Sequence, residues 1–94
     1  MTNVLLTGAF GQIGTAILRK FIEIGFDGIT IHCFDLKNTK KKARKFKRKK
    51  EITVTFGDIT KPKDRYRLSE LIKQSDIIVH LAFIIPPITN VPFS

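Results

Sequence analysis

A stretch near the amino terminus, Asn3-Val4-Leu5-Leu6-Thr7-Gly8-Ala9-Phe10-Gly11-Gln12-Ile13-Gly14, decides the fold. Its apolar first part stops at a glycine, which is typical of a short strand buried on both faces. Glycines then recur at every third position up to Gly14, and a pattern of helical period begins at Gln12. In such a junction the first glycine permits a tight turn, the second lets a pyrophosphate approach the backbone, and the third lets the helix pack close to the sheet. The stretch therefore predicts a strand, a turn and a helix whose N-terminus holds phosphate groups.

Apolar periods alternate along the rest of the chain. In the first predicted helix, residues 12–24, the helical stripe of Ile13, Ile17, Phe21 and Ile24 is expected to be the buried face. The other predicted elements are a strand at 29–34, a basic helix within 37–50, a strand at 52–56, a helix that begins near Pro62 and a strand at 76–81. This β-α-β-α-β-α-β order predicts an α/β fold, with a parallel sheet flanked by helices on both faces.

The spacing between the glycine turn and one acidic residue indicates a binding site for a ribose. Asp35 stands 21 residues after Gly14 and closes the second predicted strand. A carboxylate there can accept hydrogen bonds from the hydroxyl groups of an adenosine ribose. The same negative charge would repel a 2′-phosphate, although Lys37 and its basic neighbours could offset that repulsion. The sequence therefore favours NAD over NADP as the cofactor.

The positive charge of the chain is concentrated in one segment. The 94 residues include 17 basic and 8 acidic side chains, and ten of the basic ones stand between Lys37 and Lys50 with no acid among them. We interpret this segment as a solvated helix and loop anchored by Ala43 and Phe46. Nucleic acid is not expected as a partner, because Phe46 is the only aromatic residue there and offers no stacking platform. A membrane surface is not expected either, because the segment lacks a hydrophobic face.

Composition limits the remaining classes of protein. The length allows one small domain. The only cysteine, Cys33, excludes a disulfide framework, and with just His32 and His80 beside it no metal site is predicted. The chain has no apolar run of about 18 residues and no signal-peptide pattern, so we expect a cytoplasmic protein and no membrane span.

Four ordered motifs resemble those of a known family. Thr7 to Gly14 resembles the T-G-x-x-G-x-x-G signature of the short-chain dehydrogenase/reductase superfamily, most closely its extended, NAD-dependent epimerase/dehydratase branch. Asp35 matches the acid of that branch, and Gly57-Asp58-Ile59-Thr60 is similar to its G-D-[IVL]-[TR] motif. Ile78-Val79-His80-Leu81-Ala82-Phe83 resembles its V-x-H-L-A-A motif. The resemblance covers residues 2–85.

The resemblance implies a fold, a cofactor and a set of binding residues. The fold is a Rossmann-like parallel sheet of about four strands in the order 3-2-1-4, truncated relative to the full family fold. Residues 1–85 would form an NAD(P)-binding half-domain, and the Pro-rich segment 86–94 would be the start of the missing remainder. The implied contacts are Gly8, Phe10, Gly11, Gln12 and Ile13 for the pyrophosphate, Asp35 and Leu36 for the adenosine ribose, Asp58 and Ile59 for the adenine, and Leu81, Ala82 and Phe83 toward the nicotinamide ribose.

The catalytic pair of the family is not found in the chain. That pair is Tyr-x-x-x-Lys, whereas the single tyrosine, Tyr66, is followed four residues later by Glu70. We therefore expect the nucleotide-binding portion of an NAD-dependent epimerase/dehydratase or oxidoreductase, without turnover of its own. The alternative is a non-catalytic dinucleotide- or nucleic-acid-binding module that uses segment 37–50. Because the fourth strand would be an uncovered apolar edge, self-association or pairing with a missing domain is also expected.

Overall fold

Four strands and three helices alternate along the part of the chain that the structure describes. A computed structural model describes residues 1–81. The elements are β1 (Thr2–Thr7), α1 (Gln12–Ile24), β2 (Ile29–Asp35), a 3₁₀ turn (Lys37–Thr39), α2 (Lys40–Phe46), β3 (Ile52–Phe56), α3 (Pro62–Lys73) and β4 (Ile77–His80). The predicted alternation of strands and helices is therefore confirmed.

The four strands form one parallel sheet in the order β3-β2-β1-β4. In its register Leu6 of β1 lies between Cys33 of β2 and Val79 of β4. The sheet confirms the predicted α/β class and strand order. Because the strands are parallel, their carboxyl ends meet at one edge, and the strand order reverses direction there between β1 and β4.

Most of the core lies on one face of the sheet. Successive side chains of a strand point to opposite faces, and the residues of β1 to β3 in step with Leu6 are aliphatic or Cys33, except for Thr2, Asp35 and Phe56 at the strand ends. They pack with Leu18 of α1 and with Ala43 and Phe46 of α2. As expected, Ala43 and Phe46 are the buried residues of α2, at 0% and 2% exposure.

The buried stripe of α1 differs from the predicted one. Gly14 and Leu18 are the buried residues of this helix, while Ile13 and Ile24 are 61% and 67% exposed. The prediction that Ile13 and Ile24 face the core was therefore wrong. The physical reason is the close approach of Gly14 to the backbone of Ala9, which turns the side of the helix that begins at Gly14 toward the sheet.

The opposite face of the sheet, under α3, holds the fully buried Leu5 and Phe34 but is otherwise polar in β1 to β3. Both ring nitrogens of His32 lie within hydrogen-bond distance of threonine hydroxyls, those of Thr53 and Thr55. A neutral imidazole offers one donor and one acceptor, and rotating hydroxyls can match both. Burial lowers the pKa of His32 from its ordinary value of 6.5. Between this face and α3 runs a groove of about 280 Å³.

The last strand leaves apolar surface uncovered in the described structure. Of its residues, Ile77 is 49% and Ile78 is 47% exposed. Among residues 1–81, β4 pairs with β1 alone. The expectation that another chain or a further part of the protein pairs with β4 stays a prediction. In residues 1–81 no helix is long and apolar enough to cross a membrane.

The close contact at Gly14 is expected to limit stability. A Cβ atom there would lie 2.3 Å from Ala9 O and 2.5 Å from Ala9 C, both backbone atoms that cannot move aside alone. Gly14→Ala should lower the free energy of unfolding in urea by about 1–3 kcal/mol, despite the better helix propensity of alanine. Gly11→Ala is the control, because its Cβ would meet only Gly8 O, at 3.5 Å. A Gly14→Ala protein as stable as the wild type would contradict this contact.

Acid is expected to destabilise the fold through His32. Because its pKa is lowered in the folded chain, the unfolded chain binds the proton first as the pH falls. The free energy of unfolding should therefore decline from pH 6.5 downward until the pH reaches the pKa of the folded state. Urea unfolding of His32→Gln at a series of pH values should show a shallower decline in this range. His80→Gln is the control, and an equally shallow decline in that variant would argue against His32 as the source.

Candidate functional site

A cleft of about 470 Å³ lies at the carboxyl edge of the sheet, where β1 gives way to the glycine turn. Open α/β sheets bind ligands at this edge, beside the point where the strand order reverses. The residues that line the cleft are Gly8, Phe10, Gly11, Phe34, Asp35, Leu36, Thr39, Lys42, Gly57, Asp58, Ile59, Thr60 and Leu81. Eight of the twelve sequence-predicted residues thus come together from four separate segments of the chain.

The glycine turn is shaped by backbone contacts. Gly8 has φ of 68°, a conformation in which a side chain would be strained. Its N–H donates to Phe34 O at 2.9 Å, and the N–H of Gly11 donates to Gly8 O at 3.2 Å. The turn therefore closes on itself and ends where α1 begins.

The start of α1 presents unpaired donors to the cleft side of the turn. The N-cap residue is Gly11, and no side chain caps the helix. Among the described residues, the N–H groups of Gln12, Ile13 and Gly14 have no hydrogen-bond partner. The hydroxyl of Thr15 donates to Gly11 O at 2.8 Å, and among the described residues it accepts none of these three N–H groups. Three free N–H groups at the positive end of a helix dipole form a site suited to an anion.

Nothing inside the described chain requires a glycine at Gly11. Its φ is −77°, which any residue adopts, and an added Cβ would make only an ordinary contact with Gly8 O. Since Gly11 lines the cleft, a side chain there would occupy space beside the free N–H groups. The absence of a side chain at Gly11 therefore leaves room for a ligand to approach the backbone closely.

Asp35 is fixed by two backbone donors. Its Oδ2 accepts the N–H of Phe10 at 2.8 Å, and its Oδ1 accepts the N–H of Leu36 at 2.8 Å. Each carboxylate oxygen has a second lone pair, so the group can still accept hydroxyl donors from the cleft. The sequence predicted Asp35 as a ligand residue but did not predict its contact with the glycine turn.

Phe10 contributes only its backbone to the cleft. Its side chain is 1% exposed and stacks on Phe46 of α2, with ring centroids 6.0 Å apart. Its N–H is already donated to Asp35. The structure thus leaves Phe10 as a structural member of the turn, with no free N–H for a phosphate.

Asp58 closes a local turn as well as lining the cleft. Its Oδ1 accepts both the hydroxyl of Thr60, at 2.7 Å, and the N–H of Thr60, at 2.9 Å. These two hydrogen bonds lower the pKa of Asp58. The N–H of Asp58 donates to Asp64 Oδ2 at 2.8 Å. An Asp two residues before a Thr commonly forms such a turn, so the turn at Asp58 could have been predicted from the sequence.

The other predicted residues fall into three groups. Leu36, Ile59 and Leu81 line the cleft, whereas the side chains of Gln12 and Ile13 are exposed beside it. Ala82 and Phe83, with segment 86–94, lie outside the described residues.

Sequence reasoning missed Thr39 and Lys42 on the rim of the cleft. Lys42 directly precedes the buried Ala43, so it stands on the flank of α2 and not on its outer side. That helical position is a signal that could have identified it. Lys42 brings a positive charge to the same cleft as Asp35.

His80 and Cys33 could in principle take part in chemistry, but His80 is hydrogen-bonded and Cys33 is a weakly acidic thiol. Thr7 Oγ1 and His80 Nδ1 lie 2.6 Å apart and join the carboxyl ends of β1 and β4. Burial, with a smaller contribution from Asp35, raises the pKa of the Cys33 thiol to about 12. Within residues 1–81, no three His, Cys, Asp or Glu side chains are grouped so that they could hold a metal ion.

The parallel sheet, the glycine turn and the acid at the end of β2 together define a Rossmann-like fold of the short-chain dehydrogenase/reductase type. The sequence matches the model of the 3-beta hydroxysteroid dehydrogenase/isomerase family over residues 5–93. The chain belongs to that family, which is part of the extended short-chain dehydrogenase/reductases. The resemblance inferred from the motifs is therefore confirmed.

Solved structures share the fold. The dTDP-glucose 4,6-dehydratase of Bacillus anthracis, in complex with NAD, is 21% identical with a TM-score of 0.69, over 89% of this chain and 27% of its own. The UDP-glucuronic acid 4-epimerase of Bacillus cereus, also with NAD, is 20% identical with a TM-score of 0.68, over 89% and 28%. A short-chain dehydrogenase/reductase of Saccharomyces cerevisiae is 21% identical with a TM-score of 0.71, over 97% and 37%.

These likenesses describe part of larger proteins. The chain spans between 27% and 37% of the length of the three structures. At these identities they establish the fold. No curated protein matches the sequence.

The contact between Asp35 and the glycine turn is expected to be measurable. Asp35→Asn replaces one carboxylate oxygen by an NH₂ group that cannot accept an N–H, so one of the two backbone donors loses its partner. We expect the amide proton of Phe10 or Leu36 to exchange at least about tenfold faster by NMR, and the free energy of unfolding to fall by about 1–3 kcal/mol. Asp27→Asn is the control, since Asp27 lies in an exposed turn with φ of 46°, which asparagine also adopts. Unchanged exchange at both amides in Asp35→Asn would contradict the contact.

Proposed function

We propose that this chain binds NAD in the cleft and is the dinucleotide-binding portion of an NAD-dependent epimerase, dehydratase or oxidoreductase. One observation carries the proposal: three unpaired N–H groups, of Gln12, Ile13 and Gly14, start α1 directly after the glycine turn. A pyrophosphate is the anion that such a turn accommodates in dinucleotide-binding folds. The NAD that accompanies two of the similar structures supports the choice of cofactor.

The proposed cofactor contacts follow from the cleft and the family motifs together. The pyrophosphate lies at the start of α1, where Gly8 and Gly11 leave room and the N–H groups of Gln12 and Ile13 donate. Asp35 and Leu36 hold the adenosine ribose. The adenine lies beside Asp58 and Ile59, and the nicotinamide ribose lies toward Leu81, Ala82 and Phe83. Phe10 orients the turn through its buried ring and its hydrogen bond with Asp35.

The carboxylate of Asp35 selects NAD over NADP in this proposal. A 2′-phosphate would lie against a carboxylate that already has two backbone partners and cannot turn away from it without breaking them. Lys42 on the rim of the cleft reduces the penalty but is itself exposed to solvent.

The 94 residues bind the cofactor in this proposal but do not perform the chemistry. When bound, NAD supplies the acceptor of a hydride. The proton of a substrate hydroxyl needs a positioned acid–base group, which the family pair Tyr-x-x-x-Lys provides. Tyr66, the single tyrosine, is 70% exposed on α3 and has Glu70 one turn further on. Residues 1–85 then act as the binding unit, and segment 86–94 leads toward the remainder of a larger protein.

A calorimetric titration with NAD tests this function. The wild-type chain should bind NAD, and Gly11→Ala should weaken binding by about tenfold or more, because its methyl group enters the space of the pyrophosphate. Thermal unfolding should show that Gly11→Ala remains folded. Ser69→Thr is the control, because it adds a methyl group at an exposed position of α3.

The outcomes separate binding from folding. A wild-type chain that is folded but takes up no NAD at millimolar concentration would overturn the proposal. Equal affinities of the wild type and Gly11→Ala would place the cofactor elsewhere on the chain.

A further inference from the structure

Ten cationic side chains between Lys37 and Lys50 are exposed to solvent, and together we call them the basic surface. Its members are Lys37, Lys40, Lys41, Lys42, Arg44, Lys45, Lys47, Arg48, Lys49 and Lys50, and every one of them is exposed. They occupy the 3₁₀ turn, α2 and the turn before β3. The rest of the chain is close to neutral, so this surface carries the net charge of the molecule.

The cations of the basic surface have no acidic partners. In residues 1–81 the ion pairs are Lys20–Glu23 on α1 and Lys73–Glu70 on α3, both outside the segment. Like charges one helical turn apart repel each other, as Lys41 and Lys45 do. An external anion would therefore relieve a repulsion that the chain itself leaves in place.

The fold arranges part of this charge on one side of a helix. Ala43 and Phe46 point into the core, so the outer side of α2 presents Lys41, Arg44 and Lys45. These three side chains are neighbours at helical spacing, within about 6 Å of helix axis. Lys45 also makes a cation–π contact with Phe46, with 5.5 Å between its Nζ and the ring centroid.

The chemistry of the surface narrows the partner. Its only apolar residues, Ala43 and Phe46, are 0% and 2% exposed, so it has no side chain to insert into a lipid layer. It exposes no aromatic ring that could stack on a base. The basic surface therefore offers mainly lysine and arginine side chains, which suit a polymer with closely spaced phosphates.

We propose that the basic surface binds the phosphate backbone of a nucleic-acid duplex without reading its sequence. This goes beyond the binding of NAD and does not depend on it, because Lys41, Arg44 and Lys45 lie outside the cleft. The absence of a stacking platform made nucleic acid an unexpected partner from the sequence. Backbone binding needs no such platform, and the unpaired, outward-facing cations supply its charge.

Fluorescence anisotropy with the full chain and a labelled duplex of about 20 base pairs tests the proposal, at NaCl concentrations from about 50 to 200 mM. Log Kd should rise linearly with log [NaCl], and two duplexes of unrelated sequence should bind alike. The corresponding single strand should bind more weakly, since it has about half the charge density.

Two triple variants locate the binding surface. Lys41→Gln/Arg44→Gln/Lys45→Gln should lower the salt slope by about 2 to 3 and weaken binding by about tenfold or more at low salt. Arg19→Gln/Lys20→Gln/Lys63→Gln removes the same charge from α1 and α3 and should retain most of the affinity. Circular dichroism and thermal unfolding should confirm that both variants are folded.

Three results would overturn the proposal. Equal losses of affinity in the two triple variants would show that binding depends on the net charge of the chain and not on the basic surface. Tighter binding of the single strand would indicate base stacking in place of backbone charge. Binding to phosphatidylserine vesicles without binding to the duplex would identify a membrane surface as the partner.

Discussion

One hydrogen bond, from the N–H of Phe10 to Asp35 Oδ2, joins the end of β2 to the glycine turn. The ring of Phe10 is held at the same time against Phe46 of α2. The turn is thus held from the side of the sheet and from the side of α2, before any ligand is present. With the turn fixed in this way, α1 begins with unpaired N–H groups, which are suited to an anion. A site built in advance does not have to be ordered when the ligand binds.

The two faces of the sheet differ in what they contribute. The face under α1 and α2 is apolar and closely packed. The face under α3 buries Leu5 and Phe34 but is otherwise rich in threonine and histidine, and α3 has no fully buried residue. The stability of the described unit therefore comes mainly from the first face, which also positions the glycine turn. In residues 1–81, β4 pairs with β1 alone and α3 is lightly packed. The chain spans between 27% and 37% of the length of the three structures.

Much of this arrangement could be predicted from the sequence, because it depends on local patterns. The apolar periods located the strands and helices, and the glycine spacing with Asp35 indicated the type of fold. The rotation of α1 about its axis, however, depends on the close contact between Gly14 and the backbone of Ala9. The apolar stripe of the sequence therefore could not predict that Ile13 is exposed. The buried ring of Phe10 and the second role of Asp35 depend on contacts between residues 25 or more positions apart. Periodicity carries no information about such contacts.

The central claim is that the first turn of α1 receives the diphosphate while the Asp35 contact keeps the glycine turn in place. A ¹⁵N–¹H NMR titration of the wild-type chain with NAD tests it most directly, because it reports each backbone amide separately. The account predicts that the largest chemical-shift changes fall on Gln12, Ile13 and Gly14, with further changes at Leu36, and that the amide of Phe10 stays protected from exchange. Shifts confined to residues 37–50, with the amides of α1 unmoved at saturating NAD, would contradict it.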